Sequence, residues 1–323
     1  MFAGKTFRTI GLAFIGLALL AGCDLPMRES LKPQARPADL IKPATAPSAK
    51  PKPQSKTSLA LSEHYVKLQA HLLAQGLLRR DGGGPDTGFR AADLARNFEA
   101  IAFHSEHGAS PLISNAGTIT RFHRWRGSVR VAAHFGASSD PAQRAKDQAA
   151  LKTYLPRLSR VSRHAIGSAP ESGANFHVLF FGADETEELR KTVQQVWPGF
   201  PQSSLNQMTN LPRDIYCLVY SNVSSAAMGA EQAIALIRTE HPDLMRLSCI
   251  HEEVAQGLGL SNDSPYARPS IFNDDEEFAT LTTHDELLLK MLYDPRLKNG
   301  MTLQEARPII ATIAAELTGE VAS

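Results

Sequence analysis

The sequence is short of cysteine, tryptophan, tyrosine and net charge: 3 Cys, 2 Trp and 6 Tyr in 323 residues, with 34 Lys and Arg against 33 Asp and Glu. Three cysteines are too few for a disulfide scaffold. A balance of +1 makes no electrostatic case for a nucleic-acid partner. No apolar run reaches the ~20 residues of a bilayer-spanning helix, which excludes a multi-span membrane protein. Gly82-Gly83-Gly84 lacks the Gly-Lys-Ser/Thr ending of a phosphate loop, and there is no Gly-x-Ser-x-Gly elbow and no internal repeat. What remains, at 43% hydrophobic residues, is a globular chain.

The charge is unevenly placed. Residues 1–22 carry +2, residues 24–56 hold seven basic and three acidic residues, and residues 57–323 are left at −5. Lys5 and Arg8 precede an apolar run from Ile10 to Leu20 and small residues before Cys23, the layout of an export signal over residues 1–22. Leu20-Ala21-Gly22-Cys23 resembles a bacterial lipobox. The resemblance implies diacylglycerol on the Cys23 thiol, a fatty acyl group such as palmitate on its amine, and anchoring facing the periplasm in a bacterial cell envelope. Asp24 resembles an inner-membrane retention signal. Residues 23–57 then form a linker, because Asp24 to Lys56 contains seven prolines and no aromatic residue and cannot bury enough apolar area to order itself.

Residues 58–84 read as a helix from Ser58 to Leu78 followed by a glycine loop, and residues 85–323 as the main domain. Phe122–Trp125 and Val129–Phe135, separated by Arg126-Gly127-Ser128, suggest a hairpin. Asp140-Pro141 is an N-cap with proline at the first helical position, opening a helix toward Tyr154. Asn175–Phe181 and Ile215–Tyr220 read as buried strands with a helix from about Asp184 between them. Ala233–Arg238 is a further strand, expected at a sheet edge, and a helix follows from Asp243 to Leu258. Thr283-x-x-Glu286 and Thr302-x-x-Glu305 read as capping boxes of two last helices. The order implies an α+β fold, a mixed sheet crossed by helices with a smaller C-terminal helical part. Cys217 and Cys249 are the cysteines left after export, and an oxidising envelope favours their disulfide.

The stretch Cys249-Ile250-His251-Glu252-Glu253-Val254-Ala255-Gln256-Gly257-Leu258-Gly259-Leu260-Ser261-Asn262-Asp263 resembles the zinc-peptidase pattern H-E-x-x-H-x-x-G-L-x-H-D. A register from His251 yields one ligand and fails. A register from Glu252 puts Glu252, Gln256 and Asn262 at the three metal-ligand positions and Glu253 at the catalytic position, with Gly259, Leu260 and Asp263 identical. Pro269-Ser270-Ile271-Phe272 resembles a metzincin turn with Phe272 for methionine. Cys249–Met301 is also similar to an uncharacterised family of envelope proteins known by a domain of unknown function, marked by Glu-Glu-x-x-Gln and Ile-Phe-Asn-Asp. The resemblance implies a zincin-like domain with an active-site-type helix.

Its departures imply lost chemistry. One carboxylate and two amides disfavour zinc, which prefers imidazole and thiolate, and leave no cofactor or a weakly held divalent cation to which Asp274, Asp275 and Glu276 add oxygens. Without a strong Lewis acid Glu253 has no polarised water to deprotonate. The expectation is a membrane-anchored, catalytically silent module binding an envelope protein or peptide. The alternative is a metal-dependent hydrolase with Glu253 as general base. His251, one helical step from Glu252, points about 100° away from the ligand pair and is expected to be a hydrogen-bonded or exposed histidine.

Overall fold

Local sequence signals set most elements of the computed structural model, which describes residues 54–105, 118–223 and 231–320. The expected export signal, Cys23 and the expected linker as far as Pro53 lie outside the described residues. Helix α1 (Lys56–Ala74) begins where the Ser55 hydroxyl accepts the Ser58 N–H, and it docks through the buried Ser58 and Tyr65. Helix α2 (Ala91–Ala102) follows, then the short strands β1 (His104–Ser105) and β2 (Thr118–Ile119), which pair antiparallel. Strand β3 (Val129–Phe135) leads into α3 (Pro141–Ser162), where the Asp140 carboxylate accepts the N–H groups of Ala142 and Gln143. Strands β4 (Ile166–Ser168) and β5 (Phe176–Phe181), helices α4 (Thr186–Val196) and α5 (Gln202–Met208), and strands β6 (Cys217–Ser221) and β7 (Ala233–Arg238) come next. The chain ends on α6 (Asp243–Gln256), α7 (Thr283–Leu292) and α8 (Leu303–Thr318).

The main sheet has the order β4-β3-β5-β7-β6, parallel except for β6, which runs antiparallel to β7 at one edge. Every residue of β5 and β7 is buried, as their unbroken apolar runs require of central parallel strands covered on both faces. One face packs on α3, α6 and the C-terminal helices through Val178, Ala235, Leu155 and Val254, in a core that extends to Phe98 of α2 and Ile313 of α8. The other packs on α4 and α5 through Leu179, Leu236, Val193 and Leu205. The fold is thus α+β.

Three expectations need correction. Phe122–Trp125 forms no strand, and β3 pairs parallel with β4 and β5, so there is no hairpin. The β-rich composition of Phe122 and Trp125 reflects core burial of both rings instead. Strand β7 lies inside the sheet, and β6 takes the edge because its antiparallel return adds it beyond β7. The capping box of α7 is Thr282 with Asp285, one residue earlier than expected: Thr282 and Asp285 are buried, Thr283 is exposed, and the Glu286 carboxylate is engaged by Arg157 at 2.8 Å. Thr302 and Glu305 do cap α8 as read.

Candidate functional site

Glu252 and Glu253 sit on α6 one turn after Cys249, and residues three and four apart on a helix share a face. The Cys217–Cys249 disulfide, spanning 32 residues, ties that turn to β6 with Cα atoms 5.9 Å apart. Carboxylate oxygens of Glu252 and Glu253 and the sulfur of Cys217 consequently lie within 4.8 Å of one another. Among the described residues this is the one group of three or more His, Cys, Asp or Glu side chains close enough to share an ion. Glu253 is 3% exposed and Glu252 half-buried, so the group opens to solvent on one side.

Gln256 and Asn262 are organised around a third residue. The Gln256 amide nitrogen donates to the Asp263 carboxylate at 3.1 Å, and that of Asn262 donates to the carbonyls of Asp263 at 2.7 Å and Ala100 at 2.9 Å. Asp263 thereby bridges α6 to the segment beyond its bend. The bend depends on two glycines. A Cβ on Gly257 would come within 2.5 Å of the Phe176 ring, and one on Gly259, at φ +128°, within 2.7 Å of the His123 carbonyl oxygen. The φ of Gly259 is positive, as the turn back demands, but lies well beyond the left-handed helical value near 57°. The Trp125 indole N–H donates to the Gly257 carbonyl at 2.8 Å and secures the turn.

His251 faces the core. Its ring stacks on Tyr154 at 3.9 Å, its Nδ1 accepts the Leu281 N–H at 3.0 Å, and burial pushes its pKa down to about 3. It is a neutral, hydrogen-bonded structural histidine. No other histidine joins the carboxylate pair among the described residues. Asp274, Asp275 and Glu276 do not join it either. Their loop is held elsewhere, by Leu78 N–H on the Glu276 carbonyl at 2.8 Å and by Arg79 on the Glu277 carboxylate at 2.9 Å.

The turn at Pro269–Phe272 has a partner that sequence reasoning missed. Asp285, fully buried, accepts the Ser270 hydroxyl at 2.5 Å, the Ile271 N–H at 3.1 Å, and the Thr282 N–H and hydroxyl at 2.9 and 2.8 Å. Thr282-x-x-Asp285 also fits a capping box in sequence, one residue ahead of Thr283-x-x-Glu286. A second missed group is His134 on β3, whose Nε2 lies 3.0 Å from Nδ1 of His177 on β5. The register that makes them neighbours, His134 against Leu179, has no signal in one sequence.

The pattern of a family described as a protein of unknown function (DUF2927) matches residues 91–312. The chain belongs to that family. The match runs from the start of α2 into α8, so the DUF2927 region contains the sheet, the disulfide, the carboxylate pair and the Asp285 hub, and excludes α1. No curated protein and no solved structure matches the chain.

The chemistry open to this site follows from its donors. A disulfide sulfur carries no negative charge and is a poor ligand beside a thiolate. Two carboxylates without imidazole suit a hard cation or a basic, N–H-rich ligand better than zinc.

Proposed function

We propose that this DUF2927 chain is an envelope lipoprotein anchored through Cys23, with a degenerate, metzincin-like body that binds extended peptides without cleaving them. The observation carrying this reading is that β6 has no strand partner on its outer side among the described residues and is fastened by the disulfide to the helix turn that bears Glu252 and Glu253. A peptide adding to that edge gains main-chain hydrogen bonds and runs past two carboxylates, which favours a basic side chain in the peptide. The lipid anchor draws on the lipobox-like Leu20-Ala21-Gly22-Cys23, and the periplasm-facing, inner-membrane placement draws on that motif and Asp24.

Anisotropy titration of the full chain in detergent with labelled unstructured peptides tests it. Alternate N–H groups of an edge strand face outward, so of Val219→Pro and Tyr220→Pro one removes an outward donor and spares the ladder. That variant is expected to stay folded and lose affinity for every peptide, while Glu253→Gln keeps main-chain binding of neutral peptides and loses part of the preference for a basic one. The same carboxylate pair supports a second reading, a metal-dependent hydrolase with Glu253 as general base. It requires about one metal per purified chain and loss of hydrolysis in Glu253→Gln. Absence of both peptide affinity and bound metal refutes both readings.

A further inference from the structure

A cavity of about 780 Å³ opens where the C-terminal ends of α3, α7 and α8 meet the segment 124–126. Seven Lys or Arg side chains line it against two carboxylates, on a body whose residues 57–323 carry −5. Arg126 is taken by Glu231 at 3.1 Å, and the positive charge left over is still concentrated here against the overall balance, the situation in which a concave site focuses potential on an anion.

Part of this wall is framework. The Arg124 guanidinium donates to the carbonyls of Leu292, Asp294 and Leu297 at 2.7, 3.0 and 3.0 Å, clamping the loop after α7. Arg296 pairs with Asp294 at 2.8 Å and Glu316 at 2.7 Å, and so consumes both lining carboxylates. His164 and Tyr293, stacked at 4.4 Å, complete the frame. Arg160, Arg163, Lys290 and Lys298 line the same cavity, and their side chains have no partner among the described residues. Arg160 and Lys290 sit in the last turns of α3 and α7 and also complement the helix dipoles. Arg163 and Lys298 lie beyond the helices. Arg163 stands in the left-handed conformation, φ 56°, at a helix end where glycine is usual.

We infer that this cavity is a binding site for a small, multiply charged oxyanion, a polyphosphate or a polycarboxylate, held by Arg163 and Lys298 with Arg160 and Lys290. The volume suits a small-molecule ligand. The four side chains are exposed and are ordered only on capture, while the Arg124 bonds to Leu292, Asp294 and Leu297 hold the backbone of the wall in place beforehand.

Calorimetric titration of the full chain in detergent with inorganic tripolyphosphate and, separately, with citrate tests this. Saturable one-to-one binding of either, weakening as salt rises, is expected, and the stronger of the two identifies phosphate or carboxylate as the natural group. Arg163→Gln and Lys298→Gln should each weaken binding by about tenfold or more, the worth of one charge-assisted hydrogen bond, with unchanged melting temperature. Lys67→Gln on α1, away from the cavity, should bind like the parent. The inference is overturned if neither anion binds saturably, or if both cavity variants bind as the parent does. It is equally overturned if only adsorption to phosphatidylglycerol vesicles depends on Arg163 and Lys298, for the face would then be a membrane contact.

Discussion

Asp285 and the buried histidines show how single residues hold this fold. The Asp285 carboxylate joins the turn at Ser270–Ile271 to the start of α7 from a position with no exposure. Asp285→Ala strands those donors in the core and is expected to cost about 3–5 kcal/mol in urea unfolding. The titrating groups give two opposite pH effects. Burial, reinforced by His134, lowers the His177 pKa to about 4, so the folded protein holds it neutral while the unfolded chain takes up a proton below about 6.5. Its contribution is complete above pH 6.5 and lost as pH falls toward 4; the urea midpoint should drop over that window, and His177→Gln should flatten the slope. Glu276 has the reverse sign. Burial, with Asp274 and Asp275 adding repulsion, raises its pKa to about 7, so stability declines as pH rises from about 4.5 to 7. Glu276→Gln should exceed the parent by about 1–3 kcal/mol above pH 7 and match it below pH 4.5.

At the scale of elements, two cross-links position α6. The first is the disulfide. Opening a loop of 32 residues' separation should lower stability by about 3–4 kcal/mol, read as a fall in denaturation midpoint for the Cys217→Ala, Cys249→Ala double variant. The second is the buried ion pair of Arg246 on α6 with Asp147 on α3 at 3.3 Å, supported by Arg246 bonds to the carbonyls of Thr239 and His241. Asp147→Ala alone should cost about 3–5 kcal/mol, because the guanidinium stays buried without its counter-charge, whereas Asp147→Leu with Arg246→Met should recover most of that loss. Elements with strong local codes were readable: the Asp140-Pro141 start of α3, the Thr302 cap of α8, the apolar runs of β5 and β7. α2 was equally legible, since Leu94, Phe98 and Ile101 fall at i, i+4 and i+7 and face the core, whereas the seven-residue α5 is too short for such a pattern.

For the whole molecule, the C-terminal helices share the main core. Ile310 and Ile313 of α8 belong to the same cluster as Leu94, Trp125 and Val254, so α8 is not an appendage. Deleting residues 303–323 should abolish the cooperative thermal transition of the body rather than lower its midpoint, as a circular-dichroism melt would register. The charge plan is also a property of the whole. Arg163 reaches the cavity from the end of α3 and Lys298 from the loop after α7, 135 positions apart in sequence, and only folding sets them on one wall.

The primary structure alone carried the lipobox-like pattern Leu20-Ala21-Gly22-Cys23, the seven prolines of residues 24–56, the two-cysteine pairing and the Glu-Glu-x-x-Gln helix, since each is written in neighbouring residues or in a count. Tertiary structure decided which strand is the sheet edge, that Cys217 stands beside Glu252 and Glu253, that Asp263 links Gln256 to Asn262, and that four unpaired cations surround one cavity. The physical reason is the range of the forces involved. Caps, turns and apolar periodicity act within a few residues, whereas strand register and the meeting of remote side chains are fixed by burial of a common core, which no local pattern encodes.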